Sequence, residues 1–166
     1  MLDHRTVEIL LVEDNPDDVE LTLHAFKRAK LVNRIRVIRD GAEAMDYLFG
    51  EGEFAGRDVL DVPHLVLLDL KLPKVSGIEV LQRIRGDPRT CSIPVVALTT
   101  SREERDIAEI YKLGINSYIV KPVDFDQFGK MVEELGYYWL LLNQPPARPA
   151  PGAGHTSPSR SEAHGG

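Results

Sequence analysis

Apolar residues along the chain follow two alternating patterns. Unbroken runs of strand length, VEILLV (7–12), IRVI (35–38), HLVLLD (64–69), IPVVALT (93–99) and SYIV (117–120), recur at intervals. Between them apolar residues fall three or four apart, as on one face of a helix. Val19, Leu23 and Phe26 stripe the first such segment, Ile78, Leu81 and Ile84 the third, and Phe128, Val132, Leu135 and Trp139 the last, with GAEAMDYLF and REERDIAEIYKL as the second and fourth helices. Helix boundaries carry their own signals. Asn15 before Pro16 is an N-cap with proline at the first helical position, Asp40 is a second N-cap, and Gly114 closes the fourth helix. Ser101 with Glu104, and Asp124 with Gln127, have capping-box spacing. A polar, Gly-containing loop spans 51–62. Five strand–helix units in series predict an α/β fold: a doubly wound five-stranded parallel sheet, order 2-1-3-4-5, with helices on both faces.

The pattern stops at Pro145. Residues 145–166 contain no aromatic residue and no Leu, Ile or Val, and so cannot offset the entropy of ordering. They are predicted to be a disordered tail, with His155 and His164 in solvent, behind one globular domain at 1–144 without an internal repeat. A hydrophobic content of 43% in 166 residues suffices for a core of that size. The net charge of −6 and the lack of a Lys/Arg cluster argue against nucleic-acid binding. No run approaches the ~20 apolar residues of a membrane span, and the N-terminal apolar run is too short for a signal peptide. The one cysteine, Cys91, can form no internal disulfide and is expected as a small buried or half-buried side chain. A soluble cytoplasmic protein is expected.

In the order 2-1-3-4-5, strands 1 and 3 are neighbours at the topological switch point, and ligands bind beyond the strands' C-terminal ends. Glu13 and Asp14 end the first strand and Asp69 the third, which brings three carboxylates into one crevice. Two like charges about 4 Å apart repel by ~4 kcal/mol at an effective dielectric of 20, so a cation belongs among them. A hard divalent ion such as Mg²⁺, with oxygen ligands and retained waters, suits an open acidic crevice. Asp17 and Asp18 have a separate explanation in the helix macrodipole, which favours acids in a first turn. Strand 4 delivers Thr99 and strand 5 delivers Lys121 to the same place. A carboxylate, a metal, a hydroxyl and an ammonium around one pocket describe a phosphoryl site with Asp69 as nucleophile.

The blocks ILLVEDN, LVLLDLKLPKVSG, VVALTTS and SYIVKP resemble the receiver domain of bacterial two-component response regulators, CheY-like in fold, over roughly residues 6–142. The resemblance implies that Asp69 accepts a phosphoryl group from a phosphohistidine on a sensor histidine kinase. It implies Mg²⁺ held by Glu13, Asp14, Asp69 and the backbone carbonyl of Lys71, with Glu13 standing where many receivers have Asp. Thr99 and Lys121 would bind the phosphoryl oxygens, Tyr118 would turn inward on activation, and Lys121–Pro122 would be a cis peptide. The protein would be a phosphoacceptor that assists its own phosphotransfer and autodephosphorylation rather than an enzyme of general turnover. LDLKLPKVSG, TTSREERDI, KPVDFDQF and GYYWLLL further resemble the single-domain regulators paired with phytochrome-type histidine kinases, which implies a bacteriophytochrome as partner and signalling by protein contact. A helix cannot turn all of GYYWLLL toward one core, so Tyr138, Trp139 and Leu142 are expected in a homodimer face made by helix 4, strand 5 and helix 5.

Three other readings fit less well. An intermediate carrier in a phosphorelay would use the same residues. A phosphohydrolase of the haloacid dehalogenase type needs a second Asp two residues after the nucleophile, and position 71 is Lys. A flavin mononucleotide carrier needs a phosphate-cradling loop after strand 1, where this chain has EDNPDD.

Overall fold

Every residue of Ile9–Val12 (β1), Leu65–Asp69 (β3) and Val95–Thr99 (β4) is buried, and these three runs form the interior of the sheet. Ile35–Ile38 (β2) and Ser117–Val120 (β5), only partly buried, form its edges. The computed structural model describes residues 9–28, 35–100, 104–121 and 126. All four strand pairings are parallel, in the order β2-β1-β3-β4-β5 that the apolar pattern predicts. Leu11 lies between Val37 and Leu67, Asp69 beside Leu98, and Thr99 beside Val120. The C-terminal ends of β1, β3, β4 and β5 therefore share one rim.

Alternation along each strand separates two apolar layers. Leu10, Val12, Val66, Leu68, Val95 and Ala97 pack with helices α2 (Gly41–Phe49), α3 (Gly77–Gly86) and α4 (Glu104–Lys112). Ile9, Leu11, Leu65, Leu67, Val96 and Leu98 pack with helix α1 (Pro16–Arg28) on the other face. A fully buried side chain such as Leu68 contributes roughly 1.5–3 kcal/mol.

Local chemistry fixes the helix ends. Asn15 Oδ1 accepts the amides of Asp17 (2.9 Å) and Asp18 (3.3 Å), and Asp40 Oδ1 that of Glu43 (2.7 Å). Ser76 Oγ likewise accepts the amide of Glu79. Gly114 follows α4 at φ 94°, a left-handed conformation in which a Cβ is unfavourable.

Two sequence expectations are corrected. Leu23 and Ile78 do not face inward: both are exposed, and the buried faces are Val19, Thr22, Ala25 and Phe26 in α1 and Gly77, Val80, Leu81 and Ile84 in α3. At about 100° per residue, Leu23 and Ile78 each lie roughly 100° from the centre of the buried face. Thr22 can take an inward place because its hydroxyl donates to Asp18 O at 2.7 Å. Cys91 is exposed, in a run of surface turns between α3 and β4. The buried residues of that run are Thr90, whose hydroxyl donates to Ile84 O, and Ile93. The expected loop at 51–62 contains a 3-10 turn at Gly52–Phe54, and Arg57 donates to the carbonyls of Tyr47, Leu48, Asp58 and Asp61.

Candidate functional site

Glu13 and Asp14 part company at the end of β1. Glu13 is wholly buried, its amide donating to Ile38 O, while Asp14 is exposed. Asp69, the last residue of β3, is also buried. One carboxylate oxygen from each of Glu13, Asp14 and Asp69 falls within 4.8 Å of the others, so the sheet brings together the three acids that the strand ends predict.

Lys121 reaches this group from the end of β5, its amide donating to Thr99 O at 2.7 Å. Its ammonium lies 2.6 Å from Glu13 Oε2, 3.0 Å from Asp18 Oδ2 and 3.3 Å from Asp69 Oδ2. Burial opposes the charge on Lys121, but the hydrogen bonds to Glu13 and Asp18 and the charge of Asp69 outweigh it and raise its pKa. Burial pushes the Glu13 carboxyl up to about 7; Lys121 pulls it down and the charge of Asp69 adds to the rise. One ammonium thus faces a surplus of carboxylates. Three oxygen donors within reach of one point fit a hard divalent cation, with Asp14 on the open side.

The remaining oxygen of Asp69, Oδ1, accepts the amide of Lys71 at 3.0 Å, which fixes the carboxylate plane. Thr99 is buried at the end of β4. Tyr118, half-buried on β5 beside Ala97, meets Tyr111 edge-on with ring centroids 5.9 Å apart. Pro122, and with it the predicted cis peptide, lies outside the described residues, as do Tyr138, Trp139, Leu142 and the tail.

Sequence reasoning assigned Asp18 to the helix dipole and missed its contact with Lys121. The signal was topological: a helix that starts directly after β1 begins at the crevice rim, and its first turn faces the same ligands as the strand ends.

The family model for the response regulator receiver domain matches residues 9–133. The chain belongs to the response regulator receiver family. Among its relatives, the probable methanogenesis regulatory protein FilR2 of Methanothrix harundinacea is 46% identical over 139 residues, covering 83% of this chain and 86% of that protein. A solved bacteriophytochrome response regulator, RtBRR, is 53% identical with a TM-score of 0.71, over 85% of this chain and 84% of that one. Response regulator Rcp1 of Synechocystis sp. is 39% identical over 132 residues, 80% of this chain and 88% of the relative. A Mn²⁺-bound form of Rcp1 superposes with a TM-score of 0.72, over 84% of this chain and 98% of that one. The receiver is therefore a phosphoacceptor signalling module, homologous to a bacteriophytochrome response regulator. Receivers of this family bind a divalent cation through acidic residues and pair with histidine kinases. No helix among the described residues is long and apolar enough to cross a membrane.

Proposed function

We propose that this receiver takes a phosphoryl group onto Asp69 from a phytochrome-type sensor histidine kinase, with Mg²⁺ held by Glu13, Asp14, Asp69 and the carbonyl of Lys71. The observation that carries the reading is the buried Asp69 carboxylate with two further acids within 4.8 Å and the Lys121 ammonium 3.3 Å away. Bound Mg²⁺ would neutralise charge on the transferring phosphoryl oxygens.

The chain's own residues do the rest. The Lys71 amide holds Oδ1 of Asp69, so the carboxylate meets the donor in one orientation. A carboxylate oxygen forms the new P–O bond as the P–N bond of the donor phosphohistidine breaks. The electron pair stays on the imidazole, which takes a proton from solvent. Thr99 and Lys121 bind the phosphoryl oxygens, and the same groups assist later hydrolysis by water. As Thr99 moves toward the new group, Tyr118 turns inward behind it, which shifts the population toward the active form.

The kinase class is supported by the likeness to the bacteriophytochrome response regulator RtBRR, and phosphotransfer from a panel of purified kinases would test it. We place the protein in the cytoplasm, as a homodimer through α4, β5 and the last predicted helix. The site assignment is tested with acetyl phosphate and Mg²⁺. The wild type should be labelled, whereas Asp69→Asn, or wild type in EDTA, should not. Labelling that survives either change would refute the assignment.

A further inference from the structure

The geometry points to Asp18 as a positioning residue for phosphotransfer, a carboxylate that holds the Lys121 ammonium before the phosphoryl group arrives and then competes with it. The inference rests on the reading of Asp69 as phosphoacceptor. An ammonium has three N–H donors. Three carboxylate oxygens, at 2.6, 3.0 and 3.3 Å, already surround Lys121. A phosphoryl group on Asp69 places several more acceptor oxygens beside the ammonium and draws it toward Asp69, in competition with its other two partners.

Burial decides which of the two gives way. Glu13 is wholly buried and its second oxygen accepts the Asn15 amide, so its side chain has no room to turn away from Lys121 and no water to turn toward. Asp69 carries the incoming group. Asp18 has 22% of its side chain exposed and sits in the first turn of α1, where water and the helix N-terminus both favour a free carboxylate. Its backbone is held whichever way the side chain turns, by Asn15 at the amide and Thr22 at the carbonyl. Asp18 is the partner that Lys121 exchanges, and it forms no bond to phosphorus itself.

The test uses the full chain with beryllofluoride and Mg²⁺ as a mimic of aspartyl phosphate, and ¹⁹F NMR as the reading of occupancy. Asp18→Asn should bind the mimic about fivefold more tightly than wild type, because a competitor for Lys121 has been removed. Asp17→Asn loses the same charge in the same exposed turn and should bind like wild type; Asp18→Glu should restore the wild-type affinity. A second readout needs neither mimic nor metal: the side-chain ammonium protons of Lys121 should exchange with water faster in Asp18→Asn than in wild type or Asp17→Asn. Binding by Asp18→Asn no tighter than by Asp17→Asn, or unchanged ammonium exchange, would overturn the inference alone. A wild type that takes up no beryllofluoride would overturn the phosphoacceptor reading as well.

Discussion

Without its ammonium, Lys121 would leave Glu13 and Asp69 facing each other in the interior, where neither has water to screen its charge. Removing one partner of a buried ion pair leaves an uncompensated charge, at a cost of about 3 kcal/mol. Lys121→Met should therefore lower stability by about that amount in urea unfolding with EDTA present, and Mg²⁺ should return much of it by binding only the folded state. A urea midpoint equal to wild type in EDTA would show that the ammonium is dispensable to the fold. Glu13, Asp14, Asp69, Thr99 and Lys121 were legible in the sequence because each ends an apolar run, and a parallel sheet sends such ends to one rim. How Lys121 divides itself among three acids was not legible. It depends on distances across the sheet that no local pattern encodes.

Arg85 shows the same limit for elements. It lies in α3, yet Nε donates to Gly114 O at 2.7 Å, Nη1 to Cys91 O and Ile93 O at 3.0 and 2.6 Å, and Nη2 to Asn116 Oδ1 at 3.0 Å. Asn116 Oδ1 in turn accepts the amide of Val95 at 2.8 Å. One guanidinium thus joins α3, the turn after α4 and the entrances to β4 and β5. Arg85→Ala should cost about 2–3 kcal/mol, the range for hydrogen bonds to a charged group whose acceptors lose their partner. Hydrogen exchange should rise first at Val95 and Asn116. An arginine in a helix looks like solvated surface in any sequence, so this joint had no signal. Leu23 and Ile78 were misread for a related reason: spacing gives the period of a helix but not which part of a broad stripe the sheet covers. Gly77 makes an opposite demand, for absence of a side chain. A Cβ there would stand 2.2 Å from Asp69 O and 2.6 Å from Leu70 Cα. Gly77→Ala must push α3 away from Asp69, with a loss of about 3 kcal/mol and, on the proposed assignment, acetyl phosphate labelling slowed at least about tenfold. Wild-type labelling in that variant would mean that α3 can retreat without moving Asp69.

At the scale of the molecule, the order β2-β1-β3-β4-β5 follows from a few constraints: parallel strands need crossovers, and only the most apolar runs can be inner strands. The whole of this architecture was readable from where the apolar runs fall. The homodimer is a different kind of expectation, since it rests on GYYWLLL, outside the described residues. Tyr111, exposed on α4 and in edge contact with Tyr118, supplies an aromatic surface next to the predicted face. Sedimentation equilibrium should give about twice the mass of one chain at micromolar concentration, and Trp139→Ala with Leu142→Ala should weaken the assembly. A wild type that stays monomeric with and without beryllofluoride would reject the dimer and leave the site unaffected.

The loop after Asp69 is caught between two glycines. The Gly41 amide donates to Pro73 O and the Gly77 amide to Leu70 O, and a Cβ on Gly41 would stand 1.8 Å from Val75 O. Backbone rests directly on backbone there, with no side chain between to give way. The crevice therefore has one closely packed jaw, on the α2 and α3 side, and under the proposed mechanism displacement begun at Asp69 would be delivered to the other, where Thr99 and Lys121 stand at the ends of their strands. A binding reagent raised against the closely packed jaw would count every copy of the protein in a cell. If the proposed switch operates, one raised against the phosphorylated form of the β5 edge would count only the copies that have received the signal.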